Sequence, residues 1–150
     1  DVLQQVLLAS QYAKRLLARF PSSPVASETY PLERGKHPAD VFLRLVDCYA
    51  SLEKIARLSN IPVLHLDSAA AHKVGSSREL EPSDVYDMAT LLVSDLAFFH
   101  AQLKKHDSLE LIPYPGRTFP SRVFQQATVL LHQLEALEQL VSTDPEWIAR

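Results

Sequence analysis

Six histidines are the residues of this chain best suited to hold a metal: His37, His65, His72, His100, His106 and His132. A carboxylate di-metal bundle needs paired Glu-x-x-His units with further glutamates facing inward. No Glu-x-x-His occurs. His132-x-x-Glu135 has the right residue types in reversed order and has no second copy. The histidines share no common spacing, so neither a metal nor another cofactor is expected. Nucleophilic chemistry has less support still. No serine lies in a Gly-x-Ser-x-Gly elbow. Cys48 has only Arg44, one turn back on a helix, to stabilise a thiolate, and reads as a small buried hydrophobe. Asp47, Glu53, Asp87 and Asp95 are scattered carboxylates of a solvated helix face. The expectation is a protein that is not an enzyme.

Binding chemistry has more to work with. Gly35-Lys36, Gly75 with Arg78, and Gly116-Arg117 each place a base just ahead of a helix start, and free N–H groups at such a start attract anions. Asp40 and Asp84 would compete with an incoming anion. The preferred reading is therefore that glycine makes a turn and the base pairs with the first-turn aspartate. Two aromatic and proline-containing loops resemble each other: Tyr30-Pro31-Leu32-Glu33-Arg34-Gly35 and Tyr114-Pro115-Gly116-Arg117-Thr118-Phe119-Pro120. Tyrosine and arginine are enriched in binding hot spots, and loops carry function more often than scaffolds do. The candidate interaction surface is Tyr30, Arg34, Lys36, Tyr114, Arg117 and Phe119.

The elements that must position these loops come from an internal repeat. The three glycines lead into Pro38-Ala39-Asp40-Val41-Phe42, Pro82-Ser83-Asp84-Val85-Tyr86 and Pro120-Ser121-Arg122-Val123-Phe124, and the chain opens on Asp1-Val2-Leu3. Aligned on the valine, four copies share apolar or small residues at alternating steps of four and three. In the first copy these are Val2, Val6, Ala9, Ala13 and Leu16; in the second, Val41, Leu45, Cys48, Leu52 and Ile55. The third gives Val85, Ala89, Leu92, Leu96 and Phe99, and the fourth Val123, Ala127, Leu130, Leu134 and Leu137. Such steps lie on one face of an α-helix. The large residue after each valine is expected to close one end of the bundle: Leu3, Phe42, Tyr86 and Phe124.

Proline suits the first helical position, where a missing N–H costs nothing, and the aspartate of the first turn faces the positive end of the helix dipole. His37, Glu81 and Phe119 precede the prolines and are poor N-caps, so tertiary contacts are expected to hold the entering chain. The predicted helices are 1–19, 38–58, 82–104 and 120–141, in an all-α four-helix bundle of four related repeats forming one domain over 1–150.

The connectors, roughly Phe20–His37, Asn60–Glu81 and Lys105–Phe119, are longer than the usual helix–helix link of about 2–8 residues. Their apolar residues, among them Val25, Leu66 and Leu111, are more than a disordered linker carries. Ordered, extended paths over the bundle grooves are expected. Up-and-down order is the default topology, although fifteen or more extended residues, at about 3.3 Å each, also span a helix of about 30 Å and permit parallel neighbours. Ser142-Thr143-Asp144-Pro145-Glu146 reads as a fresh helix start that folds Trp147 and Ile148 back as a plug.

A net charge of −3 and a pI near 6.1 argue against a broad nucleic-acid footprint, and no apolar run is long enough for a transmembrane helix. The start at Asp1, with one methionine, Met88, inside a helix, points to a processed chain or a piece cut from a larger one. A single cysteine does not choose between cytoplasm and an exported, periplasmic location. Two functions fit. The favoured one is a non-catalytic binding, sensory or protein-interaction module of a bacterial exported or multidomain protein, acting on a protein partner or small ligand and open to self-association. Its rival is a ligand- or metal-binding bundle with carrier or enzymatic activity, built on His100, Tyr49, Asp95 or Glu138.

Overall fold

The computed structural model describes residues 1–21, 30–63, 71, 80–104 and 108–149. It contains α1 (Val2–Leu17), α2 (Pro38–Leu58), α3 (Pro82–Gln102), α4 (Pro120–Thr143) and a 3-10 turn, Trp147–Ala149, with no strand among the described residues. The helix starts at 38, 82 and 120 coincide with the predicted ones. The ends differ by two residues in α1, α3 and α4, where fraying and capping compete.

Proline occupies the first turn of α2, α3 and α4. The aspartates there do more than face a dipole. The Asp40 carboxylate accepts the His37 backbone N–H at 2.8 Å, and Asp84 accepts that of Glu81 at 3.0 Å. This is the reach-back half of a capping box, so local bonds hold these two entries, contrary to the tertiary support expected. In α4 the equivalent residue is Arg122, and a tertiary bond is found: the Lys36 N–H donates to Ser121 Oγ at 3.1 Å. At α1 the Asp1 carboxylate accepts the Gln4 N–H at 3.1 Å.

The apolar seam is the core. Every aligned seam residue is buried except Val2, which is half-buried. Side-chain hydrogen bonds cross between helices inside or beside it. Ser10 Oγ donates to Gln133 Oε1 at 2.8 Å, Tyr49 O–H to Asp95 Oδ2 at 2.6 Å, and Ser51 Oγ to Glu138 Oε2 at 2.9 Å. Each such pair fits one helix register and leaves buried groups unmatched in others, which ties the seam to a single alignment.

All four helices point the same way. Asp1, Pro38, Pro82 and Pro120, at the four helix starts, line one depression. At the opposite end Trp147 Nε1 donates to Ser59 Oγ at 2.9 Å, and the Trp147 ring packs on Phe20 with centroids 5.4 Å apart. The up-and-down expectation is therefore replaced by an all-parallel bundle. Packing runs α1 to α3 and α4, and α2 to α3 and α4, so α1 lies diagonal to α2 and α3 to α4.

Parallel order accounts for the long loops, which must return from one end of the bundle to the other; those joining the diagonal pairs α1–α2 and α3–α4 must also pass a third helix. The α1–α2 connector meets α4, where Tyr30 stacks on His132 (centroids 4.7 Å apart) and Gln125 Nε2 donates to the Tyr30 carbonyl at 2.6 Å. The α3–α4 connector runs down α1. Arg19 donates to the Lys104 carbonyl (3.0 Å), Arg15 to that of Ser108 (3.4 Å) and Gln4 to that of Ile112 (2.9 Å). The Gln11 carboxamide donates to the Glu110 carbonyl at 3.0 Å and accepts its N–H at 3.3 Å.

Gly35 and Gly116 have φ of +81° and +80°, a region open to glycine at little cost. Both take the turn that leads the chain into a helix start. Gly75 and Arg78 lie outside the described residues.

Candidate functional site

The two ends of the bundle are finished differently, and the cause is side-chain size. At the C-terminal end the last seam layer is Leu16, Ile55, Phe99 and Leu137, all buried, with Trp147 laid over it at 0% exposure. At the N-terminal end the first layer is four valines, Val2, Val41, Val85 and Val123, below the prolines. Valine is short, and this layer leaves the space between the four helix starts unfilled. What remains is an open depression of about 470 Å³, with Val2, Leu3, Val85 and Val123 as its floor and Tyr86 and Phe119 on its rim. That volume lies within the range of about 300–1,000 Å³ common for ligand sites.

Tyr86 is 38% exposed and Phe119 52%. The large residues after the motif valine thus do not all close the end as expected. Leu3 and Phe124 are buried and Phe42 is half-buried, whereas Tyr86 lies at the rim. Polar groups in the lining are few: the hydroxyls of Ser83, Tyr86 and Thr118, and the Asp1 carboxylate already engaged with Gln4. An apolar surface with a few hydroxyls can take an aromatic or aliphatic group and orient it by one or two hydrogen bonds.

The six residues of the candidate surface separate by role. Tyr30 is half-buried and seals α4 through His132. Lys36 pairs with Glu33 at 3.3 Å and sits 4.4 Å above the Phe124 ring, so it braces the loop and does not pair with the first-turn Asp40 as expected. Arg34, Arg117 and Tyr114 are exposed. Of the six, Phe119 alone lines the depression. Tyr86 and Ser83 were absent from the sequence-derived surface, because the repeat marks their positions as structural. Their being large or polar on a helix start was the available signal.

The residues of the rival reading fall on three different interfaces. Tyr49 and Asp95 join α2 to α3. Glu138 lies in a polar groove of about 430 Å³ between α2 and α4, with Asp47, Lys54 and Glu135. His100 is buried and meets Tyr12 of α1 edge-on, with centroids 5.5 Å apart. Burial, and then the bond to Asp95, pushes the Tyr49 hydroxyl well above the ordinary tyrosine range. Burial, and then the Asp47 charge, likewise pushes the Cys48 thiol far up; its Sγ lies 3.6 Å from the Ala127 carbonyl. Among the described residues no three His, Cys, Asp or Glu gather in a metal-holding arrangement. His65, His72 and His106 lie outside the described residues. Among the described residues no helix is long and apolar enough to cross a membrane. Compared with known proteins, the chain matches no family model, no curated protein and no solved structure.

Proposed function

We propose that this chain is a non-catalytic binding module of four related helical units, whose docking site is the depression at the common N-terminal end. The observation that carries the reading is the half-exposure of Tyr86 and Phe119 around an apolar floor. Large apolar groups left in water at a concave site favour burial by a ligand, by roughly 25 cal/mol per Å² of apolar surface covered. The ligand class is an aromatic or aliphatic group, either a partner's side chain or a small molecule. A sensory role would use the same site, since an occupant bridging four helix starts ties all four together.

Indole tests this directly, followed in amide proton–nitrogen correlation spectra. Saturable shifts are expected at the amides of Val2, Val85 and Val123, with a Kd on the order of 1 mM, or about 4 kcal/mol. A Ser83→Trp variant, which fills the depression with its own side chain, should abolish them. Absence of saturable shifts, or unchanged binding in the filled variant, would remove the site.

A further inference from the structure

The four helices differ in what lies on their outward sides. Residues 108–112 run along α1, and Tyr30 lies on α4. The outward side of α2 carries Asp47, Glu53, Lys54 and Arg57, a face of both charges. α3 has neither kind of cover. Its described packing is to α1 and α2. Over residues 88–102 its only carboxylate, lysine or arginine is Asp95, which accepts the Tyr49 O–H on the α2 side. Opposite the buried seam lie Thr90, Leu91, Ser94, Ala97, Phe98 and Ala101. Ser94, Phe98 and Ala101 are exposed, and the other three are half-buried. Phe98, at 43%, is the most exposed large apolar side chain within the described helices. The Thr90 hydroxyl donates to the Tyr86 carbonyl of its own helix at 2.9 Å, so it asks for no outside partner. A helix without a charged side is ordinarily a covered one.

We infer that this side of α3 is a self-association surface, which takes the same side of a second copy, antiparallel, about a two-fold axis at Ser94. The order of large and small side chains selects the occupant. Under that rotation Phe98 meets Thr90, and Leu91 meets Ala97. Each large group faces a small one, and the symmetry makes each contact twice, as in any isologous pair. The two Ser94 hydroxyls meet on the axis, where one can bond the other. Ala101 meets Asp87, the one exposed charge at the start of the stripe, so no like charges oppose. The length of helix from 87 to 101, at about 1.5 Å per residue, holds the two Asp87 carboxylates about 21 Å apart, well beyond a screening length of about 10 Å. A parallel copy would instead set Phe98 on Phe98 and Asp87 on Asp87, which wastes the size match and places like charges together. The short side chains of Ser94, Ala97 and Ala101 let the two helix axes approach to about 8 Å.

Sedimentation equilibrium of the whole chain, over a wide range of concentration, tests this. A reversible dimer is expected with a Kd on the order of 0.1 mM, weak because one helix side covers less than the roughly 800 Å² per partner of a standard interface. Phe98→Glu puts an unpaired charge into the contact and should weaken the dimer by about tenfold or more. The melting curve of the dilute variant should stay in place, because Phe98 is exposed in the single copy. Ser94→Cys should form a disulfide-linked dimer under mild oxidation, since the axis brings the two thiols together; Cys48 is buried and does not compete. Ala101→Cys should link to Asp87→Cys in a mixture and not to itself. A chain that stays monomeric throughout, or a dimer that Phe98→Glu leaves intact, overturns the inference. So does a dimer in which Ser94→Cys fails to link, which would place the contact elsewhere. Self-linking of Ala101→Cys as fast as that of Ser94→Cys would make the pair parallel and overturn it as well.

Discussion

The C-terminal end of the bundle is plugged and the N-terminal end is open. In an antiparallel bundle each end mixes helix starts with helix ends, so neither differs much from the other. Here one end holds four starts, with prolines and valines, and the other holds four finishes, with leucine, isoleucine, phenylalanine and a tryptophan lid. The contrast shows how parallel order lets four helices finish their two ends differently: bulky last-layer residues close the core at one end, and narrow first-layer valines leave a depression at the other.

The contrast breaks first at Trp147. Trp147→Ala removes a fully buried ring and its bond to Ser59, and should cost about 3–5 kcal/mol in urea unfolding. A loss below about 1 kcal/mol would mean the plug is ornamental and the two ends alike.

The middle of the bundle supplies the next effect. Cys48 and Tyr49 both hold their protons in the fold to higher pH than in the unfolded chain. Their contribution is complete below the ordinary values of about 8.5 and about 10. As pH rises past each value the unfolded chain ionises first, and stability should fall by up to about 1.4 kcal/mol per pH unit per group. Urea midpoints measured across the alkaline range should show a decline that Cys48→Ala delays and Tyr49→Phe flattens further up. Flat midpoints in the parent would show that the middle is as open as the N-terminal end.

At the open end, α4 is the only one of the last three helices without an acid in its first turn. Arg122→Asp should let a carboxylate reach the Phe119 N–H as Asp40 reaches that of His37, gaining about 0.3–1 kcal/mol, less at high salt. Thermal melts at two salt concentrations check this, and a destabilised variant would show that the helix starts are not equivalent.

Phe119→Ala should change stability by no more than about 0.5 kcal/mol while weakening indole binding several-fold. A loss comparable to that of Trp147→Ala would make Phe119 a second plug and end the distinction between the ends.

Helix starts and the buried seam were legible because proline at the first turn and apolar steps of three and four are local properties of the chain. Trp147 as a plug was legible for the same reason, from a capping signal beyond the last long helix. Helix direction was not. A repeat aligned on Val41, Val85 and Val123 gives the same seam whether neighbours run with or against it, and only the connector lengths hinted at the answer. The reach of Asp40 and Asp84 back to the preceding N–H was hidden behind poor N-cap residues. The buried pair Ser10 and Gln133 was hidden too, since each alone reads as a surface residue. At the candidate site, Phe119 was named from its loop. Tyr86 was missed because its exposure depends on how the four helix starts are placed around the depression, and no single helix encodes that placement.

Diagonal connectivity has a consequence for how the chain acquires its structure. α1 and α2 are consecutive yet barely touch, so neither can bury its seam against the other when the first half emerges from synthesis. Each waits for α3 or α4, and the Ser10–Gln133 bond closes over 123 residues. Helical proteins usually fold fast because their contacts are local. Here only the consecutive pair α2–α3 packs directly, and the α1 seam closes only on α3 and α4, so distant segments must come together before the core is complete; folding should be slow for an all-helical chain and steeply all-or-none.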